Sequence, residues 1–186
     1  MRGHPGTAVL DVTPEVRLQM ARHEAAHAVV AVRLGMLQDV SIRAEGRVLM
    51  EDAARGGFVA VGELGETWTS PPWTTRIRHW HEKAAIITAA AFASGVTHGS
   101  ASDMKMLRVA APATLQRSER ARWAWKRVVM AKRLLWCDGG AAWDAVARAL
   151  LAARARTRFY EGDRWCRLPA RKVKPFVPGQ RVRRVA

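Results

Sequence analysis

Hydrophobic and polar positions follow two different periods along this chain. From Val16 to Leu34 no Gly or Pro interrupts the run, and Met20, Val29, Val30, Val32 and Leu34 give it an apolar side. Its ends are punctuated as helix ends are. Thr13 can cap the N-terminus, Pro14 fits the first helical position, Glu15 suits the positive end of the dipole, and Gly35 stands where a left-handed residue closes the last turn. The period then falls to two: Gln38 to Arg43 alternates polar and apolar residues, as a half-buried strand does. Ala8 to Val12, Arg47 to Met50 and Gly56 to Val61 read as further strands, so a small antiparallel sheet is expected directly after the helix.

Beyond a loop from Gly62 to Pro72, helical spacing returns. Ile77, Trp80, Ala84, Ile87, Ala91 and Phe92 predict a long helix from about Trp73 to Ser94, closed by Gly95. Ser100 to Asp103 has the spacing of a capping box and predicts a short helix over 103–111. Pro112 opens another, reaching about Trp136, and one more runs from Ala141 to about Phe159. From Arg167 onward there are seven basic residues, no acidic ones and three prolines, which predicts an extended or disordered tail. The expected organisation is a lead-in over 1–13, a mainly α domain over 14–166 and a basic tail over 167–186.

At 186 residues the chain can bury one sizeable core. A formal charge of +15 implies attraction to polyanions or acidic surfaces without naming one. Cys137 and Cys166 are far apart and lack C-x-x-C spacing, so neither a disulfide framework nor a cysteine zinc knuckle is indicated, and a reduced, cytoplasmic setting fits. No apolar run reaches the roughly 18 residues of a membrane span, and the start lacks the apolar core of a signal peptide. No G-x-x-x-x-G-K-[ST] loop occurs, which excludes a Walker-type ATPase within this sequence.

The candidate chemistry lies in the first helix, at His23-Glu24-Ala25-Ala26-His27. Residues four apart on a helix share a face, so both imidazoles project together, with the Glu24 carboxylate beside them. This is the H-E-x-x-H pattern, in which two neutral imidazoles hold zinc and the carboxylate handles the proton of a water on the metal. The bland alternative is a helix with two satisfied histidines beside a glutamate. A catalytic zinc needs a third protein ligand, and the sequence offers His79, His81, His98 and Asp103.

The segment Ile86 to Gly95, followed by Gly99-Ser100-Ala101-Ser102-Asp103-Met104, resembles the second zinc motif of the FtsH-type metalloproteases. In that family an Ala-rich helix leads through a glycine-containing loop to an aspartate ligand. His23 to Ala28 is similar to the family's H-E-A-G-H-A, with Ala26 in place of Gly, and Met104 stands where Leu is usual. Val40-Ser41-Ile42 and Gly56-Gly57-Phe58-Val59 resemble its short strand and its substrate-facing edge strand, and Trp143 to Leu151 its last helix. The resemblance implies a helical, zincin-like metallopeptidase domain with Zn2+ held by His23, His27 and Asp103. It also implies Glu24 as general base and a polypeptide substrate paired along Gly57, Phe58 and Val59. Without an ATPase module or membrane anchor, such a peptidase would act on flexible or unfolded segments, or be fed by a separate ATPase; an oligomer is compatible with it. Two rival readings are a zinc-binding adaptor without useful turnover and a nucleic-acid-binding protein. Against the first stands Glu24, which a purely structural site does not need. Against the second, the basic residues are scattered over helices and no nucleic-acid motif occurs, which leaves the basic tail as an accessory polyanion contact.

Overall fold

The computed structural model describes residues 9–44, 47–49, 57–61, 73–96, 100–157 and 164–178. The uninterrupted run forms α1, Pro14–Arg33. Thr13 Oγ1 accepts the Val16 N–H at 3.3 Å, capping the first turn. At the other end Gly35, at φ 73°, lets the Met36 N–H reach Ala31 O at 2.8 Å and its own N–H reach Val32 O at 3.0 Å. That pair of bonds is a Schellman ending. From Met20 to Ala31 every residue except Arg22 is buried, so α1 runs through the middle of the protein rather than along its surface. Five alanines in that stretch let neighbouring elements approach closely.

Around α1 stand the helices α2 (Trp73–Thr88), α3 (Ala90–Ser94), α4 (Ser100–Val109), α5 (Arg117–Trp136), α6 (Ala141–Ala152) and α7 (Ala170–Val173), the last continued by a 3-10 turn over Lys174–Phe176. The strands are β1 (Val9–Asp11), β2 (Leu37–Arg43), β3 (Arg47–Leu49), β4 (Gly57–Val61), β5 (Arg156–Thr157) and β6 (Arg164–Pro169). The protein is thus mainly helical, with a small antiparallel sheet entered straight from the helix that carries both histidines. That sheet has the order β4-β2-β6-β5, and β1 pairs separately with β3. Val40 of β2 faces Val59 on one side and Leu168 on the other.

The expectation of a flexible tail from Arg167 fails for residues up to 178. β6 pairs with β2 along its length, and Cys166, Leu168, Ala170, Val173 and Val177 belong to the core. The basic side chains that suggest disorder here, Arg167, Arg171, Lys172 and Lys174, are all exposed to solvent on these same elements. Residues 179–186 of the expected tail lie outside the described ones, as do the loop 62–72 and residues 1–8 of the lead-in.

Four helix boundaries also differ, among them that of the helix expected over 103–111, which runs over Ser100–Val109 and so puts Asp103 in its first turn rather than at its start. The helix expected over 73–94 breaks at Ala89, beside Ile87, whose carbonyl takes a hydrogen bond from outside its own helix. α5 starts at Arg117 rather than Pro112. Leu115 N–H bonds Pro112 O in a turn at 3.0 Å, and the Glu119 carboxylate accepts the Gln116 N–H at 2.8 Å, fixing the true N-terminus. α6 stops at Ala152 because Ala153 turns extended, at ψ 136°, and leads into β5.

A partly buried ion pair fastens α1 to the turn between α5 and α6. Arg33 meets Asp138 at 2.6 Å and donates to the carbonyls of Leu134 and Leu135 at the end of α5, while Asp138 accepts the Gly140 and Ala142 N–H groups at the start of α6. Among the described residues no helix is long and apolar enough to cross a membrane.

Candidate metal centre

Mid-way along α1, His23 and His27 project from one face, with Nε2 atoms 3.1 Å apart. α4 brings Asp103 to them from across the core. Its Oδ2 lies 3.2 Å from His23 Nε2 and 3.3 Å from His27 Nε2. Asp103 sits in the first turn of α4, where the positive end of the helix dipole favours a carboxylate. Glu24 stands alongside, its Oε1 3.9 Å from His23 Nε2. His23, Glu24 and Asp103 are each only 4% exposed, and His27 is buried with them.

The His27 ring is fixed from behind: Nδ1–H donates to the Ile87 carbonyl of α2 at 2.6 Å, which leaves the lone pair on Nε2, pointing at Asp103. One residue before His23, the Arg22 carbonyl accepts the Trp143 indole N–H from α6 at 2.7 Å. The α1 backbone at the site is therefore tied to α6, and one of the ligand rings to α2.

Burial pushes the Glu24 carboxyl up to about 8, helped by the negative charge of Asp103 and opposed by His23. Burial raises the Asp103 carboxyl too, yet hydrogen bonding and positive charge from His23 and His27, which act when those rings carry a proton toward it, outweigh burial and hold the group down at about 2. Two carboxyls in one buried site are thus pushed in opposite directions, one to hold a proton and one to hold a negative charge.

Asp103 Oδ2 is fully buried without a hydrogen bond of its own, although two ring nitrogens crowd it. With His27 Nε2 also a lone pair, this convergence of acceptors suits a shared cation. The donor atoms of His23, His27 and Asp103 lie within 4.8 Å of one another, and they form the one such cluster among the described residues. Two imidazoles and one carboxylate are a donor set that zinc accepts.

Of the other candidate ligands, only His81 has a described side chain, and it is not brought to this point. His81 is exposed and lines a separate cavity of about 450 Å³ with Glu82, Met106, Leu107 and Trp123. The side chain of His79 and the whole of His98 lie outside the described residues. Gly57, Phe58 and Val59 fall on β4, which is an edge of its sheet among the described residues and packs against α1. Sequence reasoning missed the Ile87 carbonyl and Trp143. A backbone acceptor has no sequence signature, and Trp143 reads simply as one apolar position of α6.

Compared with the descriptions of known protein families and with the sequences of characterised proteins, this chain matches none. What defines it is its own geometry: a mainly helical fold that carries a buried, zincin-like His-His-Asp triad capable of holding a divalent metal.

Proposed function

We propose that the protein is a zinc-dependent endopeptidase of the FtsH type, with His23, His27 and Asp103 as metal ligands and Glu24 as general base. The observation that carries this reading is the approach of Asp103 Oδ2 to both Nε2 atoms in a buried site that leaves the carboxylate oxygen without a hydrogen-bond partner. Zinc bound there supplies Lewis acidity, which lowers the pKa of a water from about 15.7 to about 7 and polarises a peptide carbonyl. The chain's own groups do the remaining work. Glu24 takes the proton of the attacking water on its carboxylate and delivers it to the leaving amide nitrogen. Ile87 holds the His27 ring in the tautomer that ligation requires.

An extended segment of substrate pairs along the β4 edge at Gly57, Phe58 and Val59. Strand addition reads backbone rather than side chains, so the substrate class is flexible or unfolded polypeptide, hydrolysed without ATP by this chain alone. The test is elemental analysis of protein purified without added metal, together with hydrolysis of an unfolded polypeptide. The parent is expected to carry about one zinc per chain. Asp103→Ala is expected to lose the metal and the activity, and Glu24→Gln to keep the metal and lose the activity. Zinc content indifferent to Asp103 overturns the ligand set; full activity in Glu24→Gln overturns the mechanism.

A further inference from the structure

The outer side of α5 carries large apolar residues in water. Trp125 is 55% exposed and Trp136 41%, with Val129 and Met130 exposed between them. At 100° per residue Trp125, Val129, Lys132 and Trp136 fall within an arc of about 60°, and the two indoles stand ~16 Å apart along the axis. The core side of the helix, marked by Ala124, Val128, Ala131 and Leu135, borders this stripe on one edge. Arg122, Lys126 and Arg133 border it on the other, all exposed and, like Lys132, without a carboxylate partner among the described residues. Neither indole N–H donates to a protein group among the described residues. The only acidic residue of the helix is Glu119, in its first turn.

From this arrangement we infer that the outer face of α5 is a docking surface for an anionic lipid bilayer, with the Trp125–Val129–Trp136 stripe in the headgroup boundary and the cations on lipid phosphates. Indoles with a free N–H favour that boundary, and lysine and arginine beside them reach to phosphate while their stems cover apolar surface. The charge of the face excludes a second copy of the chain as the natural occupant, since Arg122, Lys126, Lys132 and Arg133 would meet their own kind. A single-stranded nucleic acid fits less well. Trp125 already holds Phe92 edge-to-face at 6.3 Å and Trp136 holds Trp143 at 5.6 Å, so neither ring is a clear platform for a base. The valine between them adds nothing to stacking and much to lipid contact.

The test uses the full chain and two kinds of vesicle, pure phosphatidylcholine and phosphatidylcholine with about a third phosphatidylglycerol. The protein is expected to sediment with the anionic vesicles only. Replacing Lys126, Lys132 and Arg133 by Gln should weaken binding about a hundredfold, at about fivefold per charge. Trp125→Ser with Val129→Ser should weaken it by about tenfold or more, through lost apolar contact. These positions are exposed, and thermal melting of each variant confirms that the fold is kept. Failure to bind anionic vesicles overturns the inference, and so does undiminished binding by the Trp125→Ser, Val129→Ser protein, which would move the attraction to charges elsewhere on the chain. Capture of a single-stranded oligonucleotide without capture of vesicles overturns it in favour of a nucleic-acid partner.

Discussion

Two helices of the same length, α1 and α5, dispose of their polar side chains in opposite ways. Both have twenty residues. In α1 the histidines and Glu24 are sealed among alanines and valines, while α5 turns its cations outward and buries only Ala124, Val128, Ala131 and Leu135. A buried polar group must have partners, so its position is fixed to a fraction of an ångström by what it touches. A solvated one is free, and acts through charge and area. Polar side chains therefore form a buried cluster able to hold a metal in one helix and an exposed, cationic face in the other.

The sharpest way to break this contrast is at Glu24. Exchange for Gln keeps shape and burial, so peptide hydrolysis should fall about 10²- to 10⁴-fold in kcat/KM, the range for losing a general base, with zinc content unchanged. Next comes the comparison of the two faces of α5. Leu135→Ala, at a fully buried position, should cost about 2–5 kcal/mol in urea unfolding, whereas Val129→Ala on the outer face should stay within ~0.5 kcal/mol.

The third concerns pH in the metal-free protein. Glu24 holds its proton up to about 8 when folded, against 4.5 when free, so the folded state binds the extra proton between those values. Its contribution to stability is fully present below pH 4.5 and is lost as pH rises through 8, with a slope of up to ~1.4 kcal/mol per pH unit. Asp103 has the opposite sign: held at about 2 against 3.8, its contribution is present above 3.8 and lost as pH falls through 2. Chemical denaturation of chelator-treated protein between pH 5 and 8 checks this. A flat profile in the parent, or a slope that persists in Glu24→Gln, refutes it. The smallest effect is at the cap of α1. Thr13→Ala removes one exposed hydrogen bond and should lower stability by about 1 kcal/mol without touching zinc content.

How much of this could be read from sequence differs between regions for physical reasons. α1 was legible because Thr13, Pro14, Glu15 and Gly35 each act on the backbone next to them, and the H-E-x-x-H spacing follows from helical pitch alone. Asp103 needed more: its place depends on the packing of α4 against α2, α3 and α5, which local pattern does not encode, and a family resemblance selected it from four candidates. The second half of β6 reads as tail because Arg167 and Pro169 open the basic, proline-containing stretch. The buried alternation of Cys166 and Leu168 was the signal available, and it is only two residues long. The Ile87 carbonyl was beyond reach, since every residue has one.

The position of β6 bears on how the protein is made. β2 ends at Arg43, but the strand that covers its second side starts at Arg164. On a ribosome adding about 5–20 residues per second, the neighbour of β2 arrives roughly ten seconds late. Until then β2, paired with β4 on one side, leaves its other edge open beside the helix that carries both histidines, available to chaperones or to mispairing. Both histidines, Glu24 and Asp103 are thus translated well before the second edge of β2 can be covered.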